Sequence, residues 1–332
     1  MYVDSLNFSL WCDFVERSFL EGEFVDLINN GTINGATSNP AIFKAAILNS
    51  PAYKKDILDM KDLEAKEIYE ALAIKDIKKA AEKLLPLYEQ GDDGFISIEV
   101  DPFLCNDSEG TINEGRRLFS AIGMPNVMIK VPATEAGYKA MKQLISEGIN
   151  VNATLIFSVE QTRQCLEAFK KGNDLCEENK LPKAVISVFV SRFDRKLDDQ
   201  LKKLNLAVSK VGIYNALRVY DLIQKYSLPN VRCLFASTGV KGDALEADYY
   251  IKGLLCKNSI NTAPLETIKY FVDHNDKNTE IKEEGIESFF DTLKANGIDM
   301  DSVCDELMKE GLSSFMEAFK EILKALSAYK SE

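Results

Sequence analysis

Val127-Met128-Ile129-Lys130-Val131-Pro132-Ala133-Thr134 reads as a short buried strand with one lysine inside it. Apolar runs of this length that end on proline are the mark of parallel core strands. An ammonium in such a place is costly unless it is paired or neutral. That cost becomes useful where the amine must be a nucleophile. Burial lowers the pKa of a lysine by several units from its ordinary ~10.4, and the neutral amine attacks carbonyls to form a Schiff base. The plainer reading is a lysine that snorkels from a strand end or pairs with a carboxylate.

Outward from this strand, short apolar runs alternate with longer helical patterns. The strands fall at 10–13, 33–38, 95–100, 127–131, 151–157, 184–190 and 231–237, with a weaker one at 260–263. Residues 64–90 place Ile77, Ala80, Ala81, Leu84, Leu85 and Tyr88 at helical spacing, with Gly91 as a stop. Thr111 with Glu114, and Ser158 with Gln161, fit capping boxes. Thr134 fits a cap for a helix that ends before Gly148, and a last helix at about 314–329 buries Phe315, Phe319, Ile322 and Leu326. This alternation predicts an α/β fold, a (β/α)8 TIM barrel with additional helices, with a doubly wound sheet as the main rival. No G-x-G-x-x-G or G-x-x-x-x-G-K-[ST] stands at a strand-helix turn. No Pro/Gly/Ser-rich linker divides the chain, so residues 1–332 are expected to form a single barrel domain with a C-terminal helix.

The chain has 332 residues, 46% of them hydrophobic and 28% charged, as in a soluble globular protein. No apolar run approaches the ~20 residues of a membrane span, and no basic-then-apolar leader opens the chain. The net charge of −12 argues against nucleic acid or an acidic membrane surface as partner, while leaving room for a small anionic substrate at a local basic site. The seven cysteines form no C-x-x-C pair, which fits reduced thiols in the cytoplasm. His274 is the only histidine, so neither a Cys/His metal site nor Ser-His or Cys-His catalysis is expected, and no cofactor is implied.

Polar residues cluster at the strand ends: Asp13; Thr37-Ser38-Asn39-Pro40; Glu99 and Asp101; Lys130; Asn152 and Thr154; Ser187 and Arg192; Ser237-Thr238-Gly239-Val240-Lys241-Gly242. In a barrel these ends converge on one face, where catalytic residues come from several strands. Each has a structural alternative. Asn39-Pro40 also reads as a helix cap followed by proline at N1, and Asp13 as a cap. Glu99 and Asp101 also read as loop carboxylates, and Ser187 as barrel packing. Asn152 and Thr154 are two apart and share a strand face. The loop after strand seven has the glycines and the lysine of an anion site, with Arg192 as a fork for bidentate contact.

In this order and spacing the segments Gly35-Ala36-Thr37-Ser38-Asn39-Pro40, Ser97-Ile98-Glu99-Val100-Asp101, Ile129-Lys130-Val131-Pro132, Ile149-Asn150-Val151-Asn152-Ala153-Thr154 and Ser187-Val188-Phe189-Val190-Ser191-Arg192-Phe193-Asp194 resemble transaldolases, over about residues 13–274. The resemblance implies a metal-free Schiff-base mechanism in the pentose phosphate pathway. A dihydroxyacetone unit passes from sedoheptulose 7-phosphate to glyceraldehyde 3-phosphate, giving erythrose 4-phosphate and fructose 6-phosphate. It implies Lys130 as the Schiff-base lysine and Asp13 as the acid/base at the substrate C4 hydroxyl. Glu99 and Thr154 would activate and orient a water. Asn39, Asn152 and Ser187 would hold the dihydroxyacetone hydroxyls, with Phe189 beside them, and Arg192 and Ser237 would bind phosphate. Many transaldolases carry Ser-x-Arg in the loop after strand seven. Here Gly239 stands in place of that arginine, and Lys241 is taken as the substitute cation. The nearest rival is a Schiff-base sugar-phosphate aldolase, although such relatives tend to carry Gln and Tyr where this chain has Glu99 and Phe189. A non-catalytic sugar-phosphate-binding barrel is the rival of another class. Sugar phosphates are the expected partners, and the chain is expected to act as a monomer or homodimer.

Overall fold

Eight strands form one ring in the computed structural model: Ser9–Cys12 (β1), Gly35–Thr37 (β2), Phe95–Glu99 (β3), Val127–Pro132 (β4), Asn150–Ile156 (β5), Ala184–Phe189 (β6), Val231–Ala236 (β7) and Ser259–Ala263 (β8). Each pairs in parallel with its neighbours, and β8 pairs with β1 to close the barrel. The doubly wound alternative is thereby excluded. The described residues are 2–177, 181–274 and 283–329. All eight expected strands are present, with ends moved by no more than two residues. The weak eighth one is a full partner, with Ser9 to Cys12 of β1 opposite Ile260 to Ala263. Among the described residues no helix is long and apolar enough to cross a membrane.

The period-two alternation of a strand decides what enters the barrel. Trp11, Phe95, Met128, Val185, Arg232 and Ile260 line a cavity of about 500 Å³ at the N-terminal end. Two or four residues further along the same strands, Asp13, Lys130, Ser187, Phe189, Ala236 and Thr262 line a cavity of about 160 Å³ at the C-terminal end. Between them, the Asn152 Nδ2–H donates to Ser97 Oγ at 2.9 Å, and the Ser187 hydroxyl donates to Asn152 Oδ1 at 2.6 Å. Two charges of the larger cavity, Arg232 and Asp93, are matched to each other. Arg232 donates to Asp93 Oδ1 at 2.6 Å and to the Ser259 carbonyl at 2.8 Å, and the Trp11 indole N–H donates to Asp93 Oδ2 at 3.0 Å. This end is a barrel floor held by its own ion pair.

The helices Ala65–Glu89 and Glu135–Ser146 form as the sequence predicts, the second capped by the Thr134 hydroxyl. Ser158 and Gln161 make a reciprocal capping box. Thr111 and Glu114 do not. The helix there is Ser108–Ile122, and the Asp107 carboxylate caps it, four residues before Thr111. The Thr111 hydroxyl instead donates to the Leu104 carbonyl, and Glu114 accepts the Asp101 N–H at 2.6 Å. The last helix is also longer than expected. It runs Met300–Ala328, because Asp299 caps it far upstream of 314. Phe315, Phe319, Ile322 and Leu326 are buried as predicted, each contributing about 1.5–3 kcal/mol relative to exposure.

Candidate active site

Lys130 lies two residues past Met128 on the inward face of β4, and only 5% of it is exposed. Its Nζ donates to the Ser38 carbonyl at 3.0 Å and stands 3.6 Å from Glu99 Oε2. Glu99 is on the neighbouring strand at the same level, since the β3–β4 register sets Glu99 opposite Lys130. The register of β4 on β5 likewise sets Asn152 opposite Lys130. Asp13 follows β1, and its Oδ1 accepts the Thr37 hydroxyl at 2.6 Å. A lysine and two acids are thus brought to one end of the barrel by strand pairing alone.

Asn39 serves two ends. Its Oδ1 caps the helix Pro40–Asn49 by accepting the Ile42 N–H at 3.0 Å, while the residue also lines the 160 Å³ cavity. The cap reading holds, and the cap leaves the residue on the cavity wall. Arg192 also lines that cavity, with its guanidinium carbon 5.0 Å from the centre of the Phe189 ring. Ser237 lines it too, and holds φ +56, a left-handed backbone that is uncommon for serine and recurs at functional loops.

Residues 10–326 match the transaldolase/fructose-6-phosphate aldolase family. The chain belongs to that family. It is 51% identical to a transaldolase of Campylobacter jejuni (strain RM1221) over 329 residues, covering 96% of this chain and 99% of that one. It is 48% identical to a transaldolase of Helicobacter pylori (strain Shi470) over 322 residues, with coverage of 96% and 99%.

Within this transaldolase/fructose-6-phosphate aldolase fold, Glu99, Asn152 and Thr154 sit just behind the cavity lining, all buried. Burial lifts the Glu99 carboxyl to about 7, with Lys130 pulling the other way. Burial raises Asp13 as well, against Lys130 and the Thr37 hydroxyl. Glu99 Oε2 and Thr154 Oγ1 are buried without a hydrogen-bond partner among the described residues. The Asn152 amide is engaged at both ends by Ser97 and Ser187, so its first task is to hold those hydroxyls. Burial draws the Arg192 guanidinium down, and Arg195 beside it adds to this. No carboxylate among the described residues forms an ion pair with Arg192. Glu310 and Glu99 attract it from further off, and a desolvated cation with no carboxylate in direct contact favours an anion.

Lys241 is not brought in. It is exposed and absent from the cavity lining. Gly239 has a packing reason: a Cβ there would lie 2.9 Å from Pro264 Cγ, so an arginine would have to displace the exit of β8. Asp101 is structural, bonded to Lys66 at 2.6 Å and capping Phe103. His274 stacks on Tyr270 at an exposed helix end, away from the cavity.

Four residues in the site were not singled out from sequence. Thr37 and Thr262 share a 2.7 Å hydroxyl contact behind Asp13. Ser97 could have been found by counting back two from Glu99. Phe315, on the C-terminal helix, lines the cavity with its ring centre 5.9 Å from Lys130 Nζ. Its helical spacing with Phe319 and Ile322 reads only as core.

Proposed function

We propose that this chain is a transaldolase that works through a Schiff base on Lys130, with sedoheptulose 7-phosphate as donor and glyceraldehyde 3-phosphate as acceptor. The observation that carries this is the buried Lys130–Glu99 pair at 3.6 Å, with Lys130 and Arg192 lining one cavity. A nucleophilic amine at one end and an anion receptor at the other suit a ketose phosphate.

In this reading Glu99 takes a proton from Lys130, the amine adds to the C2 carbonyl, and Glu99 returns the proton as water leaves, giving a protonated imine. Asp13 takes the C4 hydroxyl proton, the C3–C4 bond breaks, and its electron pair passes to the imine nitrogen as an enamine. The aldose phosphate departs. An incoming aldehyde accepts the enamine carbon, and Asp13 returns the proton to the new alkoxide. Water then hydrolyses the imine. Glu99 Oε2 and Thr154 Oγ1, buried and without a hydrogen-bond partner among the described residues, suit the handling of that water. Arg192 and Ser237 take the phosphate, and Asn39 and Ser187 the hydroxyls. A barrel of this kind acting as one unit in the cytoplasm, alone or as a homodimer, accords with that chemistry.

The test is a coupled assay with fructose 6-phosphate and erythrose 4-phosphate. Sedoheptulose 7-phosphate should form only when both are present. Free dihydroxyacetone formed at the same rate without acceptor would mark a simple aldolase instead.

A pH dependence follows from Glu99. Its carboxyl sits at about 7, so it is protonated below that value and available as a base above it. The kcat/KM for transfer should rise with pH through about 7. Glu99→Gln should lower the plateau by roughly 10²-fold and remove that limb. A weaker limb near the substrate phosphate's own pKa of about 6 should remain in both enzymes. An unchanged profile in the variant would exclude Glu99 as the titrating base.

Arg192→Gln should raise KM for fructose 6-phosphate by roughly 10–100-fold while kcat falls little, because a charge-assisted contact is lost in ground state and transition state alike. A loss confined to kcat would remove Arg192 from the phosphate end.

A further inference from the structure

The geometry points to the C-terminal helix Met300–Ala328 as part of the active site. Phe315 on it is a positioning residue that keeps water from the Lys130 adduct and so sets the ratio of transfer to release. This rests on the Schiff-base reading above.

Phe315 is 4% exposed, lines the cavity, and carries its ring centre 5.9 Å from Lys130 Nζ. Gly311, one turn earlier on the same face, lies at the other end of the site. A Cβ on Gly311 would be 2.9 Å from Leu155 Cδ2 and 3.3 Å from Arg192 Nη1. One helical face therefore meets both the amine and the guanidinium. Leu155 reaches it through a register shift in β5, where Leu155 takes φ +57. A bulge of this kind re-aims side chains at a strand end.

The helix is anchored on both flanks. Lys196 pairs with Glu306 and Glu310, each at 2.8 Å, and belongs to the helix Ser191–Lys203 that carries Arg192. Lys44 pairs with Glu321, and belongs to the helix that Asn39 caps. Phe319 packs edge-on against Tyr69, with ring centres 5.0 Å apart. The helix thus runs from the phosphate side of the mouth to the Asn39 side.

The chemistry gives such a ring a purpose. The enamine has two fates. It can attack an aldehyde, forming a C–C bond. It can instead take a proton on carbon, after which water adds to the imine carbon, dihydroxyacetone leaves, and the free amine returns. The second fate needs a proton and water while the enamine waits; the first needs water only afterwards, to hydrolyse the new imine. An apolar ring beside the nitrogen occupies a place where water would otherwise stand, and its face tolerates the positive charge of the imine.

The test measures free dihydroxyacetone and transferred product together, from fructose 6-phosphate with erythrose 4-phosphate present. Phe315→Ala should raise the ratio of release to transfer about tenfold, equivalent to ~1.4 kcal/mol between the two barriers. Phe315→Met and Phe315→Gln form a matched pair of similar length and differing polarity. The ratio should stay within about threefold of the wild type for Met and rise about tenfold for Gln. The pair decides the matter even if the alanine variant does not fold. Equal ratios in Met and Gln, whatever the change in rate, would show that Phe315 only packs the helix and would overturn the proposal. Failure of the wild-type enzyme to form any borohydride-trapped adduct would instead overturn the Schiff-base reading beneath it.

Discussion

Lys130→Met is expected to lower transfer by about ten-thousandfold or more and to abolish reductive trapping with a ketose phosphate. Methionine keeps the length and apolar stem of the side chain, so the strand and its packing survive. What disappears is the only amine in the 160 Å³ cavity lining. The change also leaves Glu99 without the cation at 3.6 Å. Stranding one charge of a buried pair costs about 3–5 kcal/mol. Glu99 already sits at about 7, so at neutral pH it can take up a proton and soften that cost. The variant should therefore melt closer to the wild type at pH 6 than at pH 8. Steady-state transfer assays and thermal melts at the two pH values check both parts. Residual transfer within a hundredfold of the wild type would remove Lys130 from the chemistry.

Asp13→Asn is expected to cost about 10²–10⁴-fold in transfer while leaving adduct formation on Lys130 largely intact. The amide keeps the size of the group and can still accept the Thr37 hydroxyl, which lies at 2.6 Å from the carboxylate. It cannot take the C4 hydroxyl proton. The imine should then form but not cleave, so borohydride should trap the intact hexose skeleton instead of the three-carbon unit. The mass of the trapped adduct distinguishes these outcomes. Equal loss of trapping and of transfer would place Asp13 in imine formation instead of cleavage.

The barrel is legible in the chain because short apolar runs alternate with helical patterns about eight times, and because those runs end on polar residues on nearly every strand. Lys130, Glu99 and Asn152 are placed at strand ends by the sequence, and strand register in the fold sets them level. Residues on loops and helices were harder. Asn39 reads as either cap or site, and in the fold it caps its helix while lining the cavity. Lys241 was chosen as a cation close in sequence to Ser237, but it is exposed and outside the cavity lining. Nothing local shows that Pro264, from the next strand's exit, fills the space beside Gly239. Thr111 looked like a cap because the stronger signal of Asp107 lay four residues earlier. Phe315 was hidden for a general reason. A phenylalanine at helical spacing looks the same whether it faces a core or the rim of a cavity, and only the crossing of that helix over the barrel separates the two.

The most direct test of the account is reductive trapping. The protein is incubated with fructose 6-phosphate and sodium borohydride, digested, and mapped by mass spectrometry. One modified lysine is expected, Lys130, in the peptide that spans β4, with loss of transfer in proportion to the modification. An adduct on a different lysine, or none at all in a protein that still transfers the three-carbon unit, would contradict it.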